Sequence, residues 1–377
     1  MTDKSPLSSK QLARRRDKSL SPEGLETLVP FGNFAMNAGS DLVIRRDLFD
    51  ENILRFFCRV GKDGLPPVRR REDIKAVQLD PKSIGETHLK VRELDGNIPD
   101  GTKVTVNPER AELTTQQKAI LRDLERGEKT DDDRGATIFG SDDRYLFFDR
   151  SYPWRTTGRV RTAGGTCAGC TIGPRLVLTA SHCINWSTDG TSAGWITFSP
   201  GFYDGDQPWG EIAATQIIYW NPALGLLSDQ ETAFDYAVLV MEEEIGNVVG
   251  YPGYRTYNDD WNGGAFWQII GYPGDLSGAQ RPSFQGDAPI SSVQDRSLNG
   301  QTGFVMGHFN DITPGNSGGP CWGWWADEPW PRVVGVASTI GSTAVETPTG
   351  STNGDNEFGA GPALSSLISW ARSNFPA

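Results

Sequence analysis

The stretch Asp311-Ile312-Thr313-Pro314-Gly315-Asn316-Ser317-Gly318-Gly319-Pro320 frames a serine with glycines beside a proline. Such a serine can sit on a tight turn with its hydroxyl exposed. The flanking backbone N–H groups can then converge on one point, which is what an acyl-transfer nucleophile requires. Alone, a Gly-x-Ser-Gly-Gly run is an ordinary glycine-rich turn. It gains meaning from two upstream segments, Thr179-Ala180-Ser181-His182-Cys183 and Phe234-Asp235-Tyr236-Ala237-Val238-Leu239, each at the edge of an apolar run. A serine hydroxyl needs a base about 2.6–3.2 Å away, and that base needs a group orienting its other ring nitrogen. His182 is the only histidine between residues 89 and 307. His182 as base, Asp235 as orienting carboxylate and Ser317 as nucleophile form a candidate hydrolytic triad. The backbone N–H groups of Gly315 and Ser317 form a candidate oxyanion hole.

The 377 residues suffice for about two to three domains. A hydrophobic share of 37% with 44 glycines fits a turn-rich globular chain, and no apolar run approaches the ~18 residues of a membrane span. The composition divides in two. All 12 tryptophans lie at or beyond Trp154. Residues 1–137 carry 25 basic and 24 acidic side chains and the remainder 11 and 24, so nearly all of the formal charge of −12 belongs to residues 138–377. Nucleic acid, which wants a basic stripe, is thereby excluded as a partner of that part. An acidic surface attracts basic substrates instead, weakly and in a salt-dependent way.

Five cysteines are present: Cys58, Cys167, Cys170, Cys183 and Cys321. The Cys167-x-x-Cys170 spacing invites a zinc or redox reading. With only three histidines in the chain, disulfides are favoured over a metal site, and disulfides imply an oxidising compartment. The segment Met1–Pro6 lacks the apolar core of a secretory signal. That leaves three alternatives: a leader outside this sequence, export by another route, or an internal location. The cysteines favour secretion.

Along the chain, residues 1–40 read as a polar arm with the cluster Arg14-Arg15-Arg16, and residues 41–110 carry no legible motif. Thr114–Leu124 reads as a helix, with Thr114 and Gln117 as a capping box and Ile120, Leu121 and Leu124 on one face. The charged run Asp131-Asp132-Asp133-Arg134-Gly135-Ala136-Thr137 reads as an exposed linker open to proteolytic cutting. Beyond it, Arg175–Leu178, Trp195–Phe198, Ile217–Trp220, Ala237–Val240, Phe266–Ile270 and Arg332–Val336 read as strands. Many short strands with frequent turns mean all-β barrels or sandwiches. The pattern Ala363-Leu364, Leu367-Ile368, Trp370-Ala371 reads as one closing helix.

From about residue 138 to 377 these residues resemble the chymotrypsin-like serine peptidases, specifically the glutamyl-endopeptidase branch. Ile138–Arg144 followed by Tyr152-Pro153 is similar to the start of a mature enzyme there. Cys167 through His182-Cys183, Gly271-Tyr272-Pro273-Gly274-Asp275 and Gly315-Asn316-Ser317-Gly318 match its recurrent segments. The resemblance implies an all-β fold of two six-stranded antiparallel β-barrels with a C-terminal helix, the barrel boundary lying near 245–260. Residues 1–137 then resemble a propeptide in position, a mixed segment acting as inhibitor or folding assistant and removed after Arg134 or nearer Ile138. By the same resemblance Cys167 and Cys183 pair, and Cys170 with Cys321 is a possible second disulfide.

The implied activity is that of a serine endopeptidase, a monomer acting on polypeptide without metal or organic cofactor. Asp311, Thr313, Ala337, Ser338 and Thr339 are the expected substrate-binding residues, with Ser338-Thr339 offering backbone pairing to an extended chain. Ala337 stands where that branch usually has a histidine. Asn316 stands where many animal members have an acidic residue, which excludes activation through an ion pair at that position. Asp311 has two readings, the base of a pocket for Lys or Arg and a turn aspartate. His308 reads as an exposed strand-end histidine rather than a pocket residue, and Cys321–Trp330 as hairpin packing rather than a cleft wall. The rival functions are a catalytically silent binding protein on a protease scaffold and an intracellular regulatory protease.

Overall fold

The computed structural model describes residues 5–12, 41–46, 54–59, 74–111, 138–139, 141–224, 227–340, 345–347, 350–352 and 354–376. The Thr114–Leu124 helix, the Arg14–Arg16 cluster and the Asp131–Thr137 linker lie outside them. The chain divides into two units, residues 1–20 with 71–377, and residues 21–70. The smaller unit contains an antiparallel hairpin of Asp41–Arg46 and Leu54–Arg59.

In the larger unit the expected apolar runs are strands. Ile196–Pro200, Thr157–Thr162, Gly165–Gly173, Leu176–Thr179, Ala237–Met241 and Ile212–Tyr219 follow one another side by side. The pairs Thr197↔Ala213 and Phe198↔Ile212 then join the last strand to the first, closing a six-stranded barrel. The closing seam is only two residue pairs long. Beyond it, Ile74–Gln78 lies parallel to Ile212–Tyr219, from Gln216↔Lys75 to Tyr219↔Gln78. A strand from the segment without a legible motif therefore extends the seam, and Ile74, Leu79 and Ile84 are buried there.

The chain leaves the barrel at Met241 and enters the second sheet at Gly253. The sheet runs Ser292–Leu298, Gln301–His308, Asn356–Ala360, Pro331–Ile340, Pro320–Trp324, Trp267–Gly271, Ser283–Ala288, Tyr145–Leu146. Among the described residues no pairing joins its ends, so it is a second sheet where a second closed barrel was expected. The difference arises because the hairpin partner Ser292–Leu298 occupies the free edge of Gln301–His308. Gly253–Arg255 pairs with the edge of Pro331–Ile340, and Glu93–Leu94 adds a further strand to it. Arg332 ties that addition down, donating to Leu94 O at 2.8 Å and to Asp95 Oδ1 at 2.9 Å.

One core spans both sheets. Leu178, Ile218 and Val238 of the barrel meet Ile270, Trp322 and Val333 of the sheet, and the closing helix Pro362–Asn374 packs onto them. Pro362 starts that helix where its missing N–H costs nothing. Ala363, Leu364, Leu367, Ile368 and Ala371 form its buried stripe, at the spacing an amphipathic helix requires. Trp322, Trp324 and Trp325 are buried, so the aromatic run is hairpin packing as expected.

Cys170 and Cys321 are free and buried, which corrects the possible second disulfide. Cys170 packs in the core shared by the sheets, whereas Cys321 packs with Trp261, Trp267 and Trp325 in a separate cluster. Burial pushes both thiols up, so they remain protonated hydrophobes.

Ile74→Ala should cost about 2–5 kcal/mol, the range for emptying a fully buried aliphatic site. Calorimetry would read this as a lower unfolding midpoint. An unchanged midpoint would mean that Ile74–Gln78 is not packed on the barrel seam.

Candidate active site

His182 lies in a single 3₁₀ turn, Ser181–Cys183, at the end of the Leu176–Thr179 strand. The turn is pinned by the Cys167–Cys183 disulfide, which closes a loop of 16 residues. A loop that short constrains the unfolded chain by about 3 kcal/mol. Cys167, His182 and Cys183 are the one metal-like grouping among the described residues, but both sulfurs are in the disulfide and cannot serve as thiolate ligands.

Asp235 precedes the Ala237–Met241 strand, after a short helix whose N-terminus carries a Ser228/Glu231 capping box. It is 1% exposed. Its Oδ1 accepts the His182 backbone N–H at 2.8 Å, and its Oδ2 accepts His182 Nδ1–H at 2.6 Å. Ser338 Oγ also donates to Oδ2, at 2.5 Å. A buried carboxylate is costly unless hydrogen-bonded and paired, and here the donors come from both sheets. Burial raises the Asp235 carboxyl, but the charge and hydrogen bonds of His182 with the Ser338 bond hold it below its usual range. Burial likewise lowers the His182 imidazole, and Asp235 outweighs it, leaving His182 above its usual value. With Nδ1 bound to Asp235, Nε2 is the nitrogen left to take a proton.

Ser317 is attached to the barrel from the other side. Its carbonyl accepts the Ala168 N–H at 2.8 Å. A Cβ on the next residue, Gly318, would lie 2.3 Å from Ala168 O and 2.9 Å from Ala180 N, so only glycine permits this approach. Ser317 thus stands against the strand end that leads into His182. Among the described residues no hydrogen bond joins its hydroxyl to His182; such contacts are commonly loose without substrate and tighten when it binds.

The peptide planes around Ser317 are set by their carbonyls. Pro314 O accepts Gly274 N–H and Asn316 O accepts Gly319 N–H, both at 2.8 Å. Because the peptide is planar and trans, the Gly315 and Ser317 N–H groups point the opposite way. Neither N–H has a protein acceptor among the described residues. Gly315 has φ +101°, and a Cβ there would meet Tyr272 O at 2.2 Å. The loop therefore presents two donors beside a serine, with a base oriented by a buried carboxylate. Chemically, that arrangement can accept a negative charge developing on an oxygen next to a carbon attacked by Ser317.

The expected substrate-binding residues divide. The ladder between Pro331–Ile340 and Asn356–Ala360 shifts register between Ala337 and Ile340. Ser338 and Thr339 are skipped there, which suits backbone pairing to an extended chain. Ala337 is buried and its backbone pairs with the loop, donating to Gly319 O at 2.9 Å and accepting Gly318 N–H at 2.8 Å. The hydroxyl of Ser338 on Asp235 has no signal in the sequence, since nothing in the spacing joins two residues 103 apart.

Asp311 is neither an open pocket base nor a turn aspartate. It is 2% exposed. Its Oδ1 accepts Phe139 N–H at 2.8 Å, and its Oδ2 accepts Asp143 N–H at 2.9 Å. Both oxygens are engaged by backbone N–H groups, so the carboxylate is held by Phe139 and Asp143. Thr313 Oγ1 is likewise engaged, accepting from Arg144 Nη1 and donating to Asp275 Oδ1, each at 2.6 Å. That corrects its side chain from substrate binding to bracing the loop. His308 is fully buried rather than exposed, stacked on Phe358 with centroids 4.1 Å apart. Burial pulls its pKa down to about 3, which keeps it a neutral packing residue.

His182 should titrate above the unperturbed ~6.5 by NMR. Asp235→Asn removes the stabilising charge and leaves the burial, so the same resonance should then titrate below ~6.5. An unmoved titration would contradict the pairing.

The Trypsin family model matches residues 147–355. A glutamyl endopeptidase of Bacillus licheniformis is 34% identical over 185 residues, covering 49% of this chain and 54% of the relative. An extracellular metalloprotease of Bacillus subtilis is 29% identical over 147 residues, covering 37% and 46%. The chain thus spans about half the length of the curated relatives it matches. Among solved structures, a Glu endopeptidase in complex with MPD aligns with TM-score 0.48 and 22% identity, over 63% of this chain and all of that one.

Proposed function

This chain belongs to the trypsin family, and from that premise we propose that it is a secreted serine endopeptidase made as a precursor. The observation that carries the reading is the buried Asp235 carboxylate accepting both N–H groups of His182, beside a glycine-framed serine with two N–H groups turned outward. In this reaction Ser317 Oγ attacks the carbonyl carbon of the substrate peptide bond while its proton passes to His182 Nε2. The carbonyl oxygen takes the electron pair and is held by the N–H groups of Gly315 and Ser317. Each such donor contributes roughly 3 kcal/mol of barrier lowering. Collapse breaks the C–N bond, and His182 returns its proton to the leaving amine, giving an acyl-enzyme on Ser317. Water, deprotonated by His182, repeats the sequence and releases the acid. Asp235 stays ionised throughout and stabilises the imidazolium that forms twice.

Secretion is supported by the Cys167–Cys183 disulfide, a bond favoured in oxidising compartments, and by the extracellular relative. For the precursor, the support is the charged Asp131–Thr137 linker, with cutting after Arg134 or nearer Ile138. The described contacts of residues 74–111 include the barrel seam, the edge of the second sheet, the segment 146–155 and the closing helix. His88 Nδ1, for example, lies 2.9 Å from Ser369 Oγ. These contacts support a folding aid that stays bound after cutting.

The wild-type protein should be labelled by a serine-directed phosphonate and should cleave casein. Ser317→Ala should abolish labelling and lower kcat by about 10⁶-fold. N-terminal sequencing of the labelled species should find a start between residues 135 and 139. A folded wild type that neither labels nor cleaves would make the chain a silent binding protein, and an uncut active form would remove the precursor. Cleavage-site profiling on a peptide library then separates Glu, Lys/Arg and apolar preferences.

A further inference from the structure

The nucleophile loop is gripped by Phe139, Asp142, Asp143 and Arg144, which follow the linker closely. Phe139 packs edge-on against Phe309, with centroids 5.2 Å apart, while Phe139 and Asp143 donate backbone N–H groups to Asp311. Arg144 makes the tightest hold, its side chain only 1% exposed. Its Nη1 donates to Thr313 Oγ1 at 2.6 Å, and its Nη2 to Asp275 Oδ2 at 2.7 Å and Asp142 Oδ2 at 2.8 Å. Thr313 Oγ1 donates in turn to Asp275 Oδ1 at 2.6 Å.

One end of this network reaches an oxyanion donor through one further bond, and the other holds the peptide next to it. Asp275 lies in the Gly274–Ser277 turn, whose first N–H holds Pro314 O at 2.8 Å and so aims Gly315 N–H. Thr313 O accepts Asn316 N–H at 2.9 Å, fixing the Gly315–Asn316 peptide that lies between the two donor planes. We propose that Arg144 is a positioning residue for the oxyanion hole, holding Thr313 and the Gly274–Ser277 turn together so that Gly315 N–H keeps its aim. The role rests on the endopeptidase reading of Ser317.

The chemistry of arginine suits the task. Its planar fork serves several acceptors at fixed angles, which a single ammonium cannot. Its charge also separates two carboxylates, Asp142 and Asp275, that would otherwise repel across the same space. Without it Asp275 turns toward solvent, Thr313 loses its acceptor, and the Pro314–Gly315 peptide is free to rotate. Substrate binding by backbone pairing at Ser338 and Thr339 is untouched, so the loss falls on the transition state.

Steady-state kinetics on the cut, active species and amide hydrogen exchange on the same preparation test this. Arg144→Gln should lower kcat about 10- to 100-fold with KM within about twofold, short of the full loss of one donor. Arg144→Lys should recover only part of it. Thr313→Val should lower kcat similarly, and the double variant should lose no more than the worse single one, as members of one network do. Exchange in the peptide spanning residues 309–319 should quicken in Arg144→Gln while barrel peptides keep their protection. Should Arg144→Gln fail to fold, Thr313→Val carries both measurements with the same expected outcomes. Wild-type kcat, a loss confined to KM, or unaltered exchange in this peptide overturns the role. If the wild type has no turnover, faster exchange sustains the brace while the endopeptidase reading falls.

Discussion

Everything at the site depends on keeping one ionised carboxylate, Asp235, out of water. Burying it alone would cost several kcal/mol. The cost is offset only if His182 and Ser338 both reach it, and they arrive from different sheets. The barrel strand ending at Thr179 and the sheet strand carrying Ser338 must therefore meet in one register. The fold meets that demand with a core shared across the sheets, a disulfide beneath His182 and backbone bonds from the Ser317 loop to both sides. Orientation of the imidazole is thus a consequence of tertiary packing rather than of any local motif.

The same packing explains what the sequence could and could not reveal. Residues whose chemistry is local were legible. The glycine frame of Ser317 reflects close backbone approaches at Gly315 and Gly318. The apolar runs before His182 and after Asp235 are strands, and the stripe from Ala363 to Ala371 is a helix. Residues whose role depends on a distant partner were not legible. Ser338 reads as a position for backbone pairing to substrate but not as a partner of Asp235. Asp311 reads as a pocket base or a turn aspartate but not as an acceptor for Phe139 and Asp143. Nothing in their neighbourhoods names the partner. Ile74–Gln78 carries a lysine and a glutamine in a five-residue run, too short and too polar to announce a strand beside a barrel seam.

Residues 74–111 and the part that carries the site are less separable in space than in composition. Charge and tryptophan content change near the linker, yet Glu93–Leu94 and Ile74–Gln78 extend the two sheets that carry the site residues. The segment just after the linker, Phe139–Arg144, grips the loop that carries Ser317.

The central claim is that a buried carboxylate orients His182 while two backbone donors stand ready beside Ser317. Its most direct test is a crystal structure of the phosphonate adduct. The account expects the phosphonyl oxygen within about 2.7–3.1 Å of both Gly315 N and Ser317 N, with His182 Nδ1 still on Asp235. A phosphonyl oxygen turned to solvent, or an imidazole swung off Asp235, would contradict it.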